Sequence, residues 1–237
     1  HWAASHDGSV MVLDGGVPND GVRDELLRVA HLNFNGQIVD HMTLDPRTGW
    51  QDIAKLGLEH LSRFKKGEVN LVGDTFFFSG DAPESAYEYL SEDAKRLPKP
   101  YSAQLDVNTI APELSELSGV NLDVEGPQKE EACQQAFMRV MSANRIFFTT
   151  ASADIDRKSG QTLDKLVAVA RNCADMSIVV EGHTDDRGLR DMNLELSQRR
   201  ADAVRDYFVG RGMSAGSLRA VGYGPDRPAD TNDTPEG

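Results

Sequence analysis

One stretch constrains the fold more than any other: Val180-Glu-Gly-His-Thr-Asp-Asp-Arg-Gly188, followed by Asn193-Leu-Glu-Leu-Ser-Gln-Arg-Arg-Ala-Asp-Ala-Val-Arg-Asp-Tyr207. A strand-sized apolar run, Ile178-Val-Val180, enters a polar loop closed by Gly188. A helical pattern then runs from Asp191 to Gly210. Leu196, Arg200, Ala203, Val204 and Tyr207 share one face of that helix. An apolar stripe of this kind has to pack back onto the sheet the chain has just left. The geometry puts Asp185 at the mouth of the strand and Arg200 in or beside the stripe. An unpaired guanidinium there costs several kcal/mol, roughly, so it needs a partner. The plain reading is an Asp185–Arg200 salt bridge that fixes helix to strand. The sharper one is a clasp for a zwitterion, with carboxylate to ammonium and the planar guanidinium fork to carboxylate.

Gly182, His183, Thr184, Asp185, Gly188, Asn193, Leu196-Ser197 and Arg200-Ala201 follow one another in an order that closely resembles the OmpA-like peptidoglycan-binding module. The likeness continues through Gly222-Tyr-Gly224, Pro228, Asn232, Thr234 and Gly237. It implies a βαβαβ domain over residues 129–237, with strands at Arg145–Thr149, Ser177–Gly182 and Leu218–Val221. It also implies that Asp185 and Arg200 hold the amino-acid-like end of diaminopimelate in a stem peptide. Thr184 and Asn193 would add hydrogen bonds, Gly182 and Gly188 would let backbone approach or turn, and His183 would belong to the ligand-binding set, a position that also fits packing. The module normally continues past Gly237 into an Asn-Arg-Arg-Val-Glu-type segment. Its last strand and one wall of the site are therefore expected to be missing.

The N-terminal half repeats itself with a period of 65: Gly8-Ser-Val-Met-Val-Leu-Asp-Gly15 aligns with Gly73-Asp-Thr-Phe-Phe-Phe-Ser-Gly80, and Pro18 with Pro83. Each copy reads as strand, turn, helix, strand, with the second strands at Gln37–Leu44 and Ser102–Thr109. Val22, Leu26, Val29 and Ala30 mark the first helix. Thr48–Gln51 and Ser85–Glu88 are capping-box candidates. Trp50, Ile53, Gly57, Leu61 and Phe64 form a core-facing stripe between the copies. The repeat resembles a tandem BON domain. Residues 111–128, with Pro and Gly at both ends, read as a linker. The expected fold class is α+β: two αβ sandwich domains, a BON-like pair over 1–110 and the OmpA-like domain over 129–237. That combination resembles the architecture of a mycobacterial envelope protein.

The net charge of −13 is uneven: about −11 over residues 1–128 and about −2 over the rest. An acidic chain repels phosphate backbones, which excludes nucleic acid, while the near-neutral half can approach an anionic polymer. No apolar run approaches 18 residues, so no transmembrane helix is expected, and a start at His1-Trp2 leaves targeting unread. Five of the six histidines lie in the first half, so His183-x-Asp185 lacks the third ligand of a catalytic zinc site and no metal is expected. Nucleophile elbow, zincin and phosphate-loop motifs are missing, which argues against an enzyme and against any cofactor. Cys133 and Cys173 are two buried thiols or one disulfide. The oxidising envelope implied by the resemblance favours the disulfide. The expected function is non-catalytic anchoring of a periplasmic or outer-membrane-associated protein to peptidoglycan. The alternative is a membrane-surface or pore-associated protein whose BON-like repeats carry the main function.

Overall fold

Each copy of the repeat folds as two parallel strands joined by a helix. In the computed structural model, which describes residues 1–46 and 50–227, β2 (Val10–Val17), α1 (Asp20–Asn33) and β3 (Gln37–Leu44) form the first copy. β5 (Thr75–Pro83), α3 (Glu84–Lys95) and β6 (Ser102–Ile110) form the second. Two strands that the 65-residue period did not reveal, β1 (Trp2–His6) and β4 (Lys66–Val72), precede them. They pair antiparallel at the centre, so the sheet runs β3-β2-β1-β4-β5-β6, symmetric about the β1/β4 seam. α2 (Gln51–Leu61) lies between the copies in sequence. Alternation along β1 buries Trp2, Ala4 and His6 and turns Ala3 and Ser5 the other way. Trp2 and Ala4 join Met11, Leu13, Leu26, Leu58, Phe76 and Phe78 in one core. Trp50, Leu61 and Phe64 are buried in it too, as the stripe predicts. The compact unit spans His1–Ala111.

Ser85, expected as the cap in Ser85–Glu88, is not the N-cap residue of α3. Pro83 ends β5 and serves as the cap itself, so Ser85 is already inside the first turn, buried. Thr48 and the side chain of Gln51 lie outside the described residues, as do Pro228, Asn232, Thr234 and Gly237.

The second unit spans Pro112–Gly237. Most of the segment expected as a linker belongs to it. Leu117 is buried in the second core and Leu114, Val120 and Leu122 pack against it. Glu116 pairs with Lys165, and Arg139 donates to the Ser118 carbonyl at 2.6 Å. Apolar residues two and three apart, not a periodic pattern, tie this stretch down. α4 (Pro127–Ala143) and α5 (Gly160–Asn172) follow, joined by a disulfide between Cys133 and Cys173, whose Cα atoms lie 6.1 Å apart. β7 (Ile178–His183), α6 (Arg190–Gly210) and β8 (Leu218–Gly224) complete the described part, with β7 and β8 parallel. The strand expected at Arg145–Thr149 is reduced to a single antiparallel bridge, Phe148 with Ile155. Its backbone is satisfied locally instead. Thr149 donates to Asp154, Asp156 donates to Phe147, and the Phe147 N–H donates to Ser159 Oγ at 2.7 Å. The α+β class holds, with the expected βαβαβ order lacking its first true strand. Among the described residues no helix is long and apolar enough to cross a membrane.

Candidate functional site

The site is built where α6 lies on the ends of β7 and β8. Gly182 and Gly222 are register partners on the two strands. A Cβ on Gly182 would sit 2.2 Å from the Ser197 carbonyl oxygen, and one on Gly222 would sit 2.2 Å from the Gln198 nitrogen. Only paired glycines let the helix backbone approach this closely. Polar side chains of α6 then lock the junction. Ser197 Oγ accepts from the Gly224 N–H at 2.8 Å, and Gln198 Oε1 accepts from the Gly222 N–H at 2.8 Å. Gln198 Nε2 donates to the Ala220 carbonyl at 3.3 Å. Arg200, one turn beyond Ser197, is thereby held at the strand mouth, beside the loop that carries Asp185.

That loop has its own clamp. Asn193 donates from Nδ2 to the carbonyls of Asp185, at 3.3 Å, and Arg187, at 2.8 Å. Asn193 therefore shapes the loop, with its Nδ2 group spent on backbone carbonyls. The Arg187 N–H donates to Asp185 Oδ1 at 3.3 Å, and Gly188 turns the chain at φ +94. Thr184 closes onto β8 through its N–H and the Gly224 carbonyl. Its Oγ1 is buried and has no hydrogen-bond partner among the described residues. His183 stacks on Tyr223 at 5.7 Å and is bonded through Nδ1 to the Arg227 carbonyl. Among the described residues no cluster of His, Cys, Asp and Glu can hold a metal ion.

Asp185 and Arg200 are brought to the same place but do not pair. The cation nearest Asp185 is the exposed Arg187, Nε at 3.9 Å. Arg200 donates from Nε to the Ser152 carbonyl at 3.0 Å, and its guanidinium carbon lies 5.0 Å above the centre of the Phe148 ring. Burial lowers the pKa of Arg200, and the Asp185 charge acts in the opposite direction. An arginine so placed stays charged. The plain salt bridge is thus replaced by an acid and a base that sense one another across a gap. Arg199 pairs with Glu195, and Arg205 with Asp202 and Asp206, away from the site. Phe148 and Ser152 were not legible as site residues. A ring can be read from sequence, but the Ser152 contribution is a backbone carbonyl, which any residue carries.

Residues 147–237 match the OmpA family, and the chain carries an OmpA-like domain there. Similar proteins include the peptidoglycan-associated lipoprotein of Rhizobium meliloti (strain 1021), 41% identical over 95 residues that make up 40% of this chain and 53% of the relative. The peptidoglycan-associated lipoprotein of Haemophilus influenzae is 41% identical over 86 residues, 36% of this chain and 56% of the relative. The chain thus spans about half the length of the curated relatives it matches. Among solved structures, the peptidoglycan-associated lipoprotein of Burkholderia pseudomallei is similar at 27% identity, covering 40% of this chain and 80% of its own, with a TM-score of 0.35. An outer membrane protein of Borrelia burgdorferi B31 also has 27% identity, covering 34% and 72%, with a TM-score of 0.33.

Proposed function

We propose that this protein binds peptidoglycan without cleaving it and so anchors an envelope protein to the cell wall. The second unit grips the zwitterionic end of diaminopimelate in a stem peptide. Asp185 receives the ammonium, and Arg200 offers its fork to the carboxylate. The observation that carries the reading is the unpaired pair. A purely structural bridge would have closed, whereas here Arg200 is held by Ser152 and Phe148 and Asp185 by its own loop. The peptidoglycan-associated lipoproteins among the relatives support peptidoglycan as the target, the envelope location and the non-catalytic role. Thr184 Oγ1, buried and unsatisfied, adds a donor beside Asp185. Gly182, Gly188, Asn193 and His183 serve the site by shaping it.

Cosedimentation with insoluble peptidoglycan tests the proposal, with release of soluble muropeptides measured in the same tubes. Binding without release is expected, and failure to pellet refutes it. The first unit is the BON-like part of the reading, and a role for it at a lipid surface is the competing one. Liposomes of anionic and neutral lipid, run alongside, separate the two. Its acidic balance disfavours the anionic vesicles.

A further inference from the structure

A guanidinium has five N–H donors and two usable forks, a side-on one through Nε and an end-on one through the two Nη groups. In Arg200 the side-on fork is already taken, because Nε donates to the Ser152 carbonyl. Phe148 lies against the guanidinium, its ring centre 5.0 Å from the central carbon. The four remaining N–H groups make no hydrogen bond among the described residues. Neither restraint comes from Asp185.

The element that supplies both restraints is a small hairpin, with Phe148 at its base and Ser152 in its tip, Thr149–Asp154. The Phe148–Ile155 bridge and the Thr149 N–H to Asp154 carbonyl bond close its base. Within the tip the Ser152 N–H donates to the Thr149 carbonyl at 3.0 Å. The Ser152 hydroxyl donates to Asp154 Oδ2 at 2.7 Å and accepts from the Asp154 N–H at 3.0 Å. The tip closes only because Ala151 adopts φ +55, where a side chain is disfavoured; it is the one residue other than glycine with positive φ among the described residues. Ala151 is exposed, so no burial offsets that cost, and the hydrogen bonds of the tip have to.

We propose that the Thr149–Asp154 tip is the positioning element of the site: it ties Arg200 by Nε and presents the end-on fork alone, which selects a ligand with a free carboxylate over its amide. The inference rests on the binding reading above. A carboxylate places two acceptors against the two Nη groups. A primary amide places one acceptor and one N–H donor there, and the donor has nothing to bond.

The test uses the full chain and two probes: a stem peptide ending in diaminopimelate, and the same peptide amidated at the carboxyl of the zwitterionic end. Calorimetric titration is run on the wild type, Ala151→Val and Ala151→Gly. A β-branched residue does not tolerate φ +55, whereas glycine does. Ala151→Val is expected to lose about tenfold in affinity for the free acid and little for the amide, and Ala151→Gly to match the wild type. Hydrogen exchange of the Arg200 Nε–H, followed by NMR without ligand, reads the tie directly. It should be slow in wild type and Ala151→Gly relative to the exposed Arg187 Nε–H. Equal exchange at Arg200 and Arg187 in the wild type overturns the inference even if Ala151→Val does not fold. So does a folded Ala151→Val that binds the free acid as the wild type does. A wild type that binds neither peptide while its Nε–H is protected instead sinks the ligand assignment, and the selectivity falls with it.

Discussion

Gly182→Ala tests the claim that the site exists because α6 touches the sheet. The added Cβ would lie 2.2 Å from the Ser197 carbonyl oxygen and 3.3 Å from the Ala201 Cβ. The first contact involves helix backbone, which cannot rotate away, so α6 has to lift by about 1 Å. Overpacking of this kind costs about 1–3 kcal/mol. The lift also stretches the bonds from Ser197 Oγ and Gln198 Oε1 to β8, each worth about 1 kcal/mol net. The expected loss is roughly 3 kcal/mol. Gly222→Ala meets the same helix one residue on, at Gln198. One lift relieves both clashes, so the double substitution should cost well under the sum of the two. Gly210→Ala is the control. It lies at the end of the same helix with nothing within 4 Å of its Cβ and should be neutral or slightly stabilising. Denaturant unfolding of the full chain provides the assay. The only two tryptophans, Trp2 and Trp50, are in the first unit, so their fluorescence reports that unit alone, while far-UV circular dichroism also follows the second. A Gly182→Ala transition within about 0.5 kcal/mol of wild type would refute the close-approach argument.

His6 makes the first unit pH-sensitive. Burial lowers its pKa, and its bonds (Nε2 to the Leu61 carbonyl at 2.8 Å, Gly8 N–H to Nδ1 at 3.1 Å) fit the neutral ring. The unfolded chain therefore takes up the proton more readily. Tryptophan-monitored stability should fall as pH drops from about 6.5 towards the lower folded pKa, and His6→Gln should flatten that dependence. Reducing the Cys133–Cys173 disulfide, which closes a loop of 40 residues, should lower the stability of the second unit by about 2–4 kcal/mol and leave the tryptophan transition in place. Asp185→Ala and Arg200→Ala should each weaken binding of the diaminopimelate peptide by about 2–5 kcal/mol in titration calorimetry, with the double variant little worse. Near-wild-type binding by either folded single variant removes the clasp.

What could be read from the sequence follows from how each feature is encoded. The repeat of the first unit was visible because apolar strands bounded by glycines recur at one spacing. Yet β1 and β4, the strands at the centre of its sheet, escaped it. Trp2-Ala-Ala-Ser-His6 and Lys66-Gly-Glu-Val-Asn-Leu-Val72 carry too few large apolar residues to stand out, and their alternation acquires meaning only when each pairs with the other. The linker reading failed for a related reason: Leu117 is buried, and Leu114, Val120 and Leu122 partly buried, by wrapping over a core made elsewhere, which leaves no helical or strand period. The placement of Asp185, Arg200, Gly182 and Gly188 around one strand mouth was legible because side-chain chemistry or the lack of a Cβ is the signal. The loop-holding bonds of Asn193 were not legible, because its Nδ2 reaches backbone carbonyls set by the loop. The tie on Arg200 was not legible at all. It depends on the direction of one carbonyl, fixed by a positive φ at an alanine where sequence preference would have called for glycine or asparagine. A departure of that kind, at the position that aims Arg200, is where local rules are expected to yield to a demand from elsewhere in the structure.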